Sequence, residues 1–348
     1  MEKEKLKAII YALLAAVFYA VNVPVSKLLL KEVGPATMAS LLYLGAGIGI
    51  GILSLVGKKD KEGSERLSKE DLPFVIGMIV LDIAAPIFLM LGISYGSAAN
   101  ASLLGNFEIV ATTLIALFIF KEAVSARLWV AIALITLSSV LLSFEGTESF
   151  SFSYGSVLVL AATVCWGFEN NCTRNISSKD TYEIVVLKGI FSGLGSLIIA
   201  LLKREVLPGF VYIAASLLLG FVAYGLSIFL YVRAQSVIGA AKTSAYYAAA
   251  PFVGAFLSFV FLKEELSLMY IIALAVMIAG SVLVAVDTII RHHEHVHQHS
   301  FTHTHDGITH MHTVTHSHGH DHYVTDSVHG HHHSEADLEK LPGARHAG

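Results

Sequence analysis

The chain has 348 residues, of which 55% are hydrophobic and only 14% are charged, with a formal net charge of -4. Soluble domains carry about 25% charged residues, so this composition excludes an ordinary soluble protein and indicates one that crosses a membrane many times. The basic residues form no stripe, which argues against a nucleic-acid partner. Cys165 and Cys172 lie seven positions apart in one apolar run and are interpreted as packing thiols.

Apolar runs of about 20 residues, the length of a membrane-spanning helix, occur ten times along the chain. They are residues 8–30, 37–57, 72–93, 98–119, 127–144, 154–172, 182–203, 209–231, 240–262 and 267–288. The connections between them are short, so consecutive helices are antiparallel neighbours. The sequence therefore predicts an all-α membrane protein with ten transmembrane helices.

The distribution of Lys and Arg among the connections predicts the orientation in the membrane. With the N-terminus in the cytoplasm, fourteen of these residues fall on the cytoplasmic side and five on the outer side. The charged N-terminus runs into the first apolar segment without a small-residue cleavage site, which predicts an uncleaved helix. We expect an integral, multi-pass protein of the cell membrane with both termini in the cytoplasm.

Residues 98–142 and 240–284 align without a gap at a constant offset of 142. The connection between the two apolar runs of each copy contains the identical pairs Lys121/Lys263, Glu122/Glu264 and Ser125/Ser267. Each copy predicts two membrane-length helices joined by a charged hinge. Because five spans is an odd number, the second half must enter the membrane from the opposite side, which is an inverted repeat of the transporter kind.

The first helix of each half carries a related motif, residues 15–22 (AAVFYAVN) and residues 161–169 (AATVCWGFE). With the two Lys-Glu hinges, this pattern resembles the EamA-type branch of the drug/metabolite transporter superfamily. The resemblance covers residues 8–288 and implies a transporter and not an enzyme. It implies five-helix repeats at residues 1–145 and 150–288 and leaves outside it residues 289–348, which we predict to be a His-rich cytoplasmic tail.

The first half departs from that pattern at two places. Tyr19-Ala20 stands where the second half has Trp166-Gly167, and Glu108-Ile109 stands where the second half has Ala250-Pro251. The proline of the fourth helix is thus absent from one half, which puts the kink there in doubt.

Two acidic residues lie in the middle of predicted spans, Asp82 in the third and Glu108 in the fourth. A charge at the bilayer centre costs about 2.5–3.5 kcal/mol, so each side chain should face a cavity or a partner. Two carboxylates at one cavity suit proton coupling or cation recognition. The alternative is that each bonds a backbone carbonyl or a hydroxyl of a neighbouring helix.

Further polar residues lie on the first, fourth, sixth and ninth spans, which the resemblance implies line a central cavity. The predicted substrate path comprises Asn22, Asp82, Asn106, Glu108, Glu169, Asn170, Tyr246 and Tyr247. Asn100 is a weaker candidate, since interhelical hydrogen bonding is the ordinary use of Asn in membranes. Lys188 is a candidate partner of Glu169, either in a structural ion pair or in contact with substrate.

Glycines at positions 45, 47, 49 and 51 place small residues on one helix face, which suits close packing within the chain or a homodimer. Packing within the chain is the commoner use. The sequence contains no P-loop, so nothing in it indicates ATP as the energy source.

All 18 histidines fall between His292 and His346, outside the predicted spans. The candidate metal ligands are His293, His295, His297, His299, His303, His305, His310, His312, His316, His318, His320, His322, His331, His332 and His333. Such a tract offers imidazoles to Zn, Ni, Co or Cu and should be disordered without metal. Residues 293–297 also match the H-E-x-x-H pattern of zinc peptidases, but in a His-saturated tract the match is nearly automatic.

Three functions compete at this point. The inverted repeat favours a secondary transporter that exports small organic metabolites, such as amino acids or their analogues, with a metal-binding regulatory tail and no required cofactor. The tail favours a transporter of divalent Zn, Ni or Co. The H-E-x-x-H match leaves a membrane metalloenzyme or metal-responsive scaffold. Because the core has no His and its two Cys share one helix, only hard oxygen ligands would remain for a metal, so we favour the organic substrate.

Overall fold

The computed structural model describes residues 2–56, 66–121, 124–145, 151–176, 179–238, 243, 246–264, 266–305 and 308–323. Its helices are α1 (Glu2–Ala20), α2 (Asn22–Leu29), α3 (Pro35–Val56), α4 (Leu72–Tyr95), α5 (Ala98–Leu104), α6 (Phe107–Phe120), α7 (Ala126–Leu142), α8 (Tyr154–Asn175), α9 (Thr181–Leu202), α10 (Phe210–Gly220), α11 (Ser227–Ile238), α12 (Ala250–Leu262) and α13 (Leu268–Ile289). A 3-10 turn (Lys69–Asp71) precedes α4, and a π-helical segment (Phe221–Leu226) joins α10 to α11. The strands are β1 (Phe144–Glu145), β2 (Ser151–Phe152), β3 (Ile290–His305) and β4 (Ile308–Tyr323).

Each of the ten predicted spans contains helix in the described residues. In the part of the chain that the structure describes, seven helical segments are long and apolar enough to cross a membrane: Lys3–Leu29, Pro35–Leu55, Lys69–Tyr95, Ala98–Ile119, Tyr182–Leu202, Phe210–Ala234 and Leu268–Asp287. Ala126–Leu142 and Ala250–Leu262 are shorter apolar helices. The more polar α8 occupies the sixth span. The prediction of an all-α membrane protein is confirmed.

Within the described residues, four of the spans are interrupted. The first breaks at Val21, between α1 and α2, because Pro24 has no N–H to offer the carbonyl of Ala20 four residues earlier. The fourth breaks at Gly105 and Asn106, between α5 and α6. The eighth contains the π-helical segment. In the ninth, a turn at residues 248 and 249 precedes α12. Interrupted helices of this kind leave backbone groups and side chains available inside a membrane protein.

The repeat extends to backbone conformation. Lys121 and Lys263, which are 142 positions apart, both end their helices in the left-handed region, with φ of 56° and 55°. The next helix of each copy begins with a serine cap: Ser125 Oγ accepts from the N–H of Leu128, and Ser267 Oγ accepts from the N–H of Tyr270, each at 3.0 Å. The sequence identities at the hinge therefore correspond to the same stop and start of helix.

The glycine run packs α3 inside the chain. Gly47 faces the backbone of α9 so closely that a Cβ built on Gly189 would lie 2.5 Å from Gly47 Cα. Gly45 lies against the backbone of Leu217, and Gly49 against the ring of Phe221. These contacts account for the glycines by packing within one chain.

In the tail, β3 and β4 pair as an antiparallel ribbon. An alternating His-x-His pattern has the period of two that places every second residue on one face of a strand. The register sets His293 opposite His320, His295 opposite His318, His297 opposite His316 and His303 opposite His310. Residues Val286–Gly348 form a compact unit separate from Met1–Ala285.

Candidate functional site

An ion-pair triad joins three helices in the interior of the bundle. Lys188 of α9 places its Nζ 3.0 Å from Oδ2 of Asp82 in α4 and 2.9 Å from Oε1 of Glu169 in α8. Asp82 is fully buried and Glu169 is 2% exposed. Because an unpaired buried charge is strongly unfavourable, the ammonium of Lys188 stabilises both carboxylates in place.

Hydroxyl groups complete the surroundings of the triad. The hydroxyl of Tyr43 donates to Oδ1 of Asp82 at 2.8 Å, and Thr173 donates to Glu169. The indole Nε1 of Trp166 lies 3.5 Å from the Tyr43 oxygen. The triad is thus fixed by contacts from α3 and α8 as well as by its own charges.

The second acidic site is Glu108, in the first turn of α6 just after the break between α5 and α6. Its Oε1 accepts a hydrogen bond of 2.7 Å from the amide of Asn170, which also donates to the hydroxyl of Thr112 at 3.2 Å. The neighbouring Asn171 donates to the carbonyls of Thr112 and Gly167 and so anchors α8 against α6. The described bonding partner of the Glu108 carboxylate is therefore a neutral amide.

A row of five tyrosine rings extends from the triad past Glu108. Successive centroids are separated by 5.4 Å from Tyr43 to Tyr224, 5.8 Å from Tyr224 to Tyr19, 5.9 Å from Tyr19 to Tyr247 and 5.2 Å from Tyr247 to Tyr231. We call this set the tyrosine row. Distances of this size are those of favourable aromatic pairs. The row contains residues from both halves of the chain, and Tyr224 lies in the π-helical segment.

Besides Tyr43, which donates to Asp82, two further members of the tyrosine row are oriented by hydrogen bonds. Asn22, the first residue after the α1–α2 break, donates to the Tyr224 hydroxyl at 3.1 Å and accepts from Ser26 at 3.1 Å. Ser227 and Tyr247 share a hydrogen bond of 3.2 Å. The helix interruptions thus supply polar groups to the centre of the bundle.

The structure brings together most of the predicted substrate-path residues. Those in the triad, in the tyrosine row or bonded to them or to each other are Asn22, Asp82, Glu108, Glu169, Asn170 and Tyr247. Asn106 is buried at the α5–α6 break, and its Nδ2 has no hydrogen-bond partner among the described residues. Tyr246 is half-buried beside Tyr247 in sequence. Asn100 donates to the carbonyl of Leu142, a structural contact.

Sequence reasoning missed several members of the site. The predicted Lys188–Glu169 pair is present, but its extension to Asp82, 106 positions away, was not foreseen. Trp166 and Tyr19 lay in the paired motif of the first helices and so carried a sequence signal. Tyr43, Tyr224 and Thr173 carried none, because in an apolar span these residue types are indistinguishable from ordinary packing residues.

A further carboxylate holds the junction between α4 and α5. Glu264 accepts from the hydroxyl of Ser97 at 2.7 Å and from the N–H groups of Ala98 and Ala99 at 2.8 and 2.9 Å, so it caps α5. At the same junction Lys27 donates to the carbonyls at the end of α4, including that of Gly96 at 2.8 Å. The second half thus contributes a charge that fixes a helix end of the first.

Among the side chains that the structure describes, no three or more His, Cys, Asp or Glu residues are grouped as a metal site requires. Between Asp82 and Glu169, the position that a cation would take holds the ammonium of Lys188. The histidine side chains of the tail lie outside that description.

The long apolar helices, their interruptions and the buried charges define the class of this protein as a polytopic membrane transporter. The chain belongs to the EamA-like transporter family, which it matches over residues 6–144 and 153–286. Integral, multi-pass insertion follows from this membership and from the seven long apolar segments.

Two known proteins are similar to this chain. One is an "Uncharacterized transporter" of Methanothermobacter thermautotrophicus, 25% identical over 291 residues that cover 76% of this chain and 82% of the relative. A crystal structure described only as that of a protein superposes with a TM-score of 0.59 at 17% identity, covering 81% of this chain and 96% of the other. At that identity the second likeness concerns the fold alone.

Proposed function

We propose that the protein is a secondary active transporter that exports small organic metabolites, amino acids or their analogues among them, by alternating access. The observation that carries this proposal is the buried triad of Asp82, Glu169 and Lys188, continued by Glu108 and the tyrosine row. Buried charges inside a membrane bundle are expensive and usually mark a substrate or ion path. Their position beside helix interruptions supports the same interpretation.

The triad also suits a conformational change. Lys188 connects α9 to both α4 and α8, so these three helices cannot separate without breaking an ion pair. A substrate or a proton that binds one of the carboxylates alters this connection, because the charge that Lys188 neutralises changes. The proposed path contains Asn22, Asp82, Asn106, Glu108, Glu169, Asn170, Tyr246 and Tyr247.

A second candidate function is transport of Zn, Ni or Co, which the histidine tract favours. The ion-pair triad argues against it, since its ammonium occupies the place between two carboxylates that a divalent ion would need. The tail is better suited to regulation. Its register places four pairs of histidines opposite each other, and adjacent imidazoles bind Zn, Ni, Co or Cu in proteins.

The test is transport by the purified protein in proteoliposomes, with a panel of labelled metabolites measured beside labelled Zn, Ni and Co. We expect a metabolite to move and the Glu108→Gln variant to move it more slowly. The control is Glu205→Gln, since Glu205 caps α3 through Ala36 and Thr37 at an end of the bundle. Movement of a labelled metal that depends on Glu108 would overturn the organic substrate in favour of the metal.

A further inference from the structure

The centre of the bundle contains more negative than positive charge. The carboxylate of Glu169 interacts electrostatically with those of Asp82 and Glu108, and all three interact with the ammonium of Lys188. When these four groups are ionised, their formal net charge is -2. Lys188 is bonded to Asp82 and Glu169, whereas the described bonding partner of Glu108 is the amide of Asn170. A buried carboxylate without a cation is costly, so the site favours a ligand that brings positive charge.

The tyrosine row provides a second feature that attracts cations. Glu108 interacts electrostatically with Tyr19, Tyr224 and Tyr247, three consecutive members of the row. The faces of aromatic rings carry negative potential and attract ammonium groups, by about 0.5–2 kcal/mol for each favourable contact. The side chains of Tyr19, Tyr247 and Glu108 are half-buried.

The same geometry disfavours a ligand that carries a carboxylate. A cation is the strongest partner for such a group, and the ammonium of Lys188 already contacts Asp82 and Glu169 at 3.0 and 2.9 Å. A zwitterion or an anion that paired with this ammonium would have to displace one of these buried carboxylates, and breaking a buried ion pair costs about 3–5 kcal/mol. A monocation meets no such obstacle.

We propose that the substrate is an organic monocation, a primary amine or a quaternary ammonium compound, whose charged head binds between Glu108 and the rings of Tyr19 and Tyr247. This inference rests on the proposed transporter function and narrows its small organic metabolites to amines, so that amine analogues of amino acids are preferred to the zwitterionic amino acids themselves. The carboxylate supplies the charge attraction, the rings supply the cation–π contact, and the amide of Asn170 orients the carboxylate.

The test uses three compounds with one aromatic skeleton and different charges: phenethylamine is a cation, phenylalanine a zwitterion and phenylpropionate an anion. Binding of each to the purified full-length protein is measured by isothermal titration calorimetry, with tetraethylammonium as a cation that cannot lose a proton. We expect phenethylamine to bind at least about tenfold more tightly than phenylalanine, a difference of about 1.4 kcal/mol. Phenylpropionate should not compete.

Three variants assign the binding to the proposed residues. Glu108→Gln should raise the Kd for phenethylamine about tenfold or more. Glu108→Asp should raise it less, because aspartate keeps the negative charge. Tyr19→Leu should raise the Kd for phenethylamine about threefold or more. Tyr19→Phe should leave the Kd unchanged, because the phenyl ring still offers an aromatic face for the cation–π contact. Size-exclusion chromatography identifies any variant that does not fold, and the two Tyr19 variants keep the test decisive if Glu108→Gln fails.

Equal binding of the amine and the amino acid would overturn the proposal, as would a Tyr19→Leu variant that binds like Tyr19→Phe. No binding of either cation to the folded wild-type protein would overturn it as well. Failure of the transporter function has a different signature: in the proteoliposome panel no metabolite would move. If a neutral or zwitterionic compound moves while no amine binds, the transporter stands and the amine class is wrong.

Discussion

Replacing Lys188 with Met tests whether the triad is held together by its single positive charge. The substitution keeps a long, flexible side chain but leaves Asp82, which is fully buried, and Glu169, which is 2% exposed, without their ammonium. Removing one partner from a buried ion pair costs about 3–5 kcal/mol. We expect Lys188→Met to lower the free energy of unfolding by that amount at pH 7.

A second route gives a similar magnitude. The variant can avoid the repulsion by taking up a proton, and protonating an ordinary carboxyl group at pH 7 costs about 4 kcal/mol from a reference pKa near 4. The difference in the free energy of unfolding between the wild type and Lys188→Met should therefore shrink as the pH is lowered from 7 towards 5. For each carboxyl group that is protonated in the folded variant, we expect a decrease of about 1.4 kcal/mol per pH unit.

The assay is denaturant unfolding in mixed micelles, followed by intrinsic fluorescence at several pH values. Lys203→Met is the matched control, because Lys203 is exposed at the end of the same helix and should change stability by less than about 0.5 kcal/mol. The triple variant Asp82→Asn, Glu169→Gln, Lys188→Met should recover most of the loss, since no buried charge remains. A Lys188→Met protein as stable as the wild type, or a triple variant as unstable as the single one, would refute the reasoning.

Four further predictions concern the remaining parts of the protein. Glu264→Gln should lower stability by about 1–2 kcal/mol in the same unfolding assay, because it weakens a charged cap on α5 that makes three hydrogen bonds; an unchanged midpoint would contradict this. Asp82→Asn and Glu108→Gln should each remove the pH dependence of transport while the protein stays folded, and unchanged pH profiles in both would show that the carboxylates are structural. Truncation after Arg291 should preserve basal transport but abolish any effect of cytoplasmic Zn or Ni on the transport rate. Binding of these metals to the full tail should weaken below about pH 6, because protons compete for the imidazole groups. Complete loss of transport in a truncated protein that still inserts into the membrane would indicate that the tail delivers a transported metal. A cysteine placed at position 149, outside the described residues, should react with an impermeant reagent added from outside, and labelling only from the cytoplasmic side would reverse the orientation.

Much of the fold was determined locally and was therefore visible in the sequence. Hydrophobic runs of membrane length fix where helices form, because backbone groups in lipid must be satisfied within the helix. The offset of 142 predicted corresponding hinges, and Lys121 and Lys263 indeed share a left-handed conformation. The break at Val21 was not predicted, because the prediction treats residues 8–30 as one span, although the cause of the break is also local: Pro24 lacks the N–H that the carbonyl of Ala20 would accept.

The site was only partly visible, because its contacts connect residues far apart in the chain. Sequence hydropathy identified Asp82 as a buried charge but not its partner, since Lys188 meets it only when α9 packs against α4. The tyrosine row forms only when α1, α3, the π-helical segment, α11 and the residues before α12 place ordinary aromatic residues side by side. The tail's alternating pattern fixed which histidines share a face, but the pairing of β3 with β4 sets which of them stand opposite each other. Local hydropathy and backbone chemistry thus determined the helices, and tertiary packing alone decided which charges and rings meet.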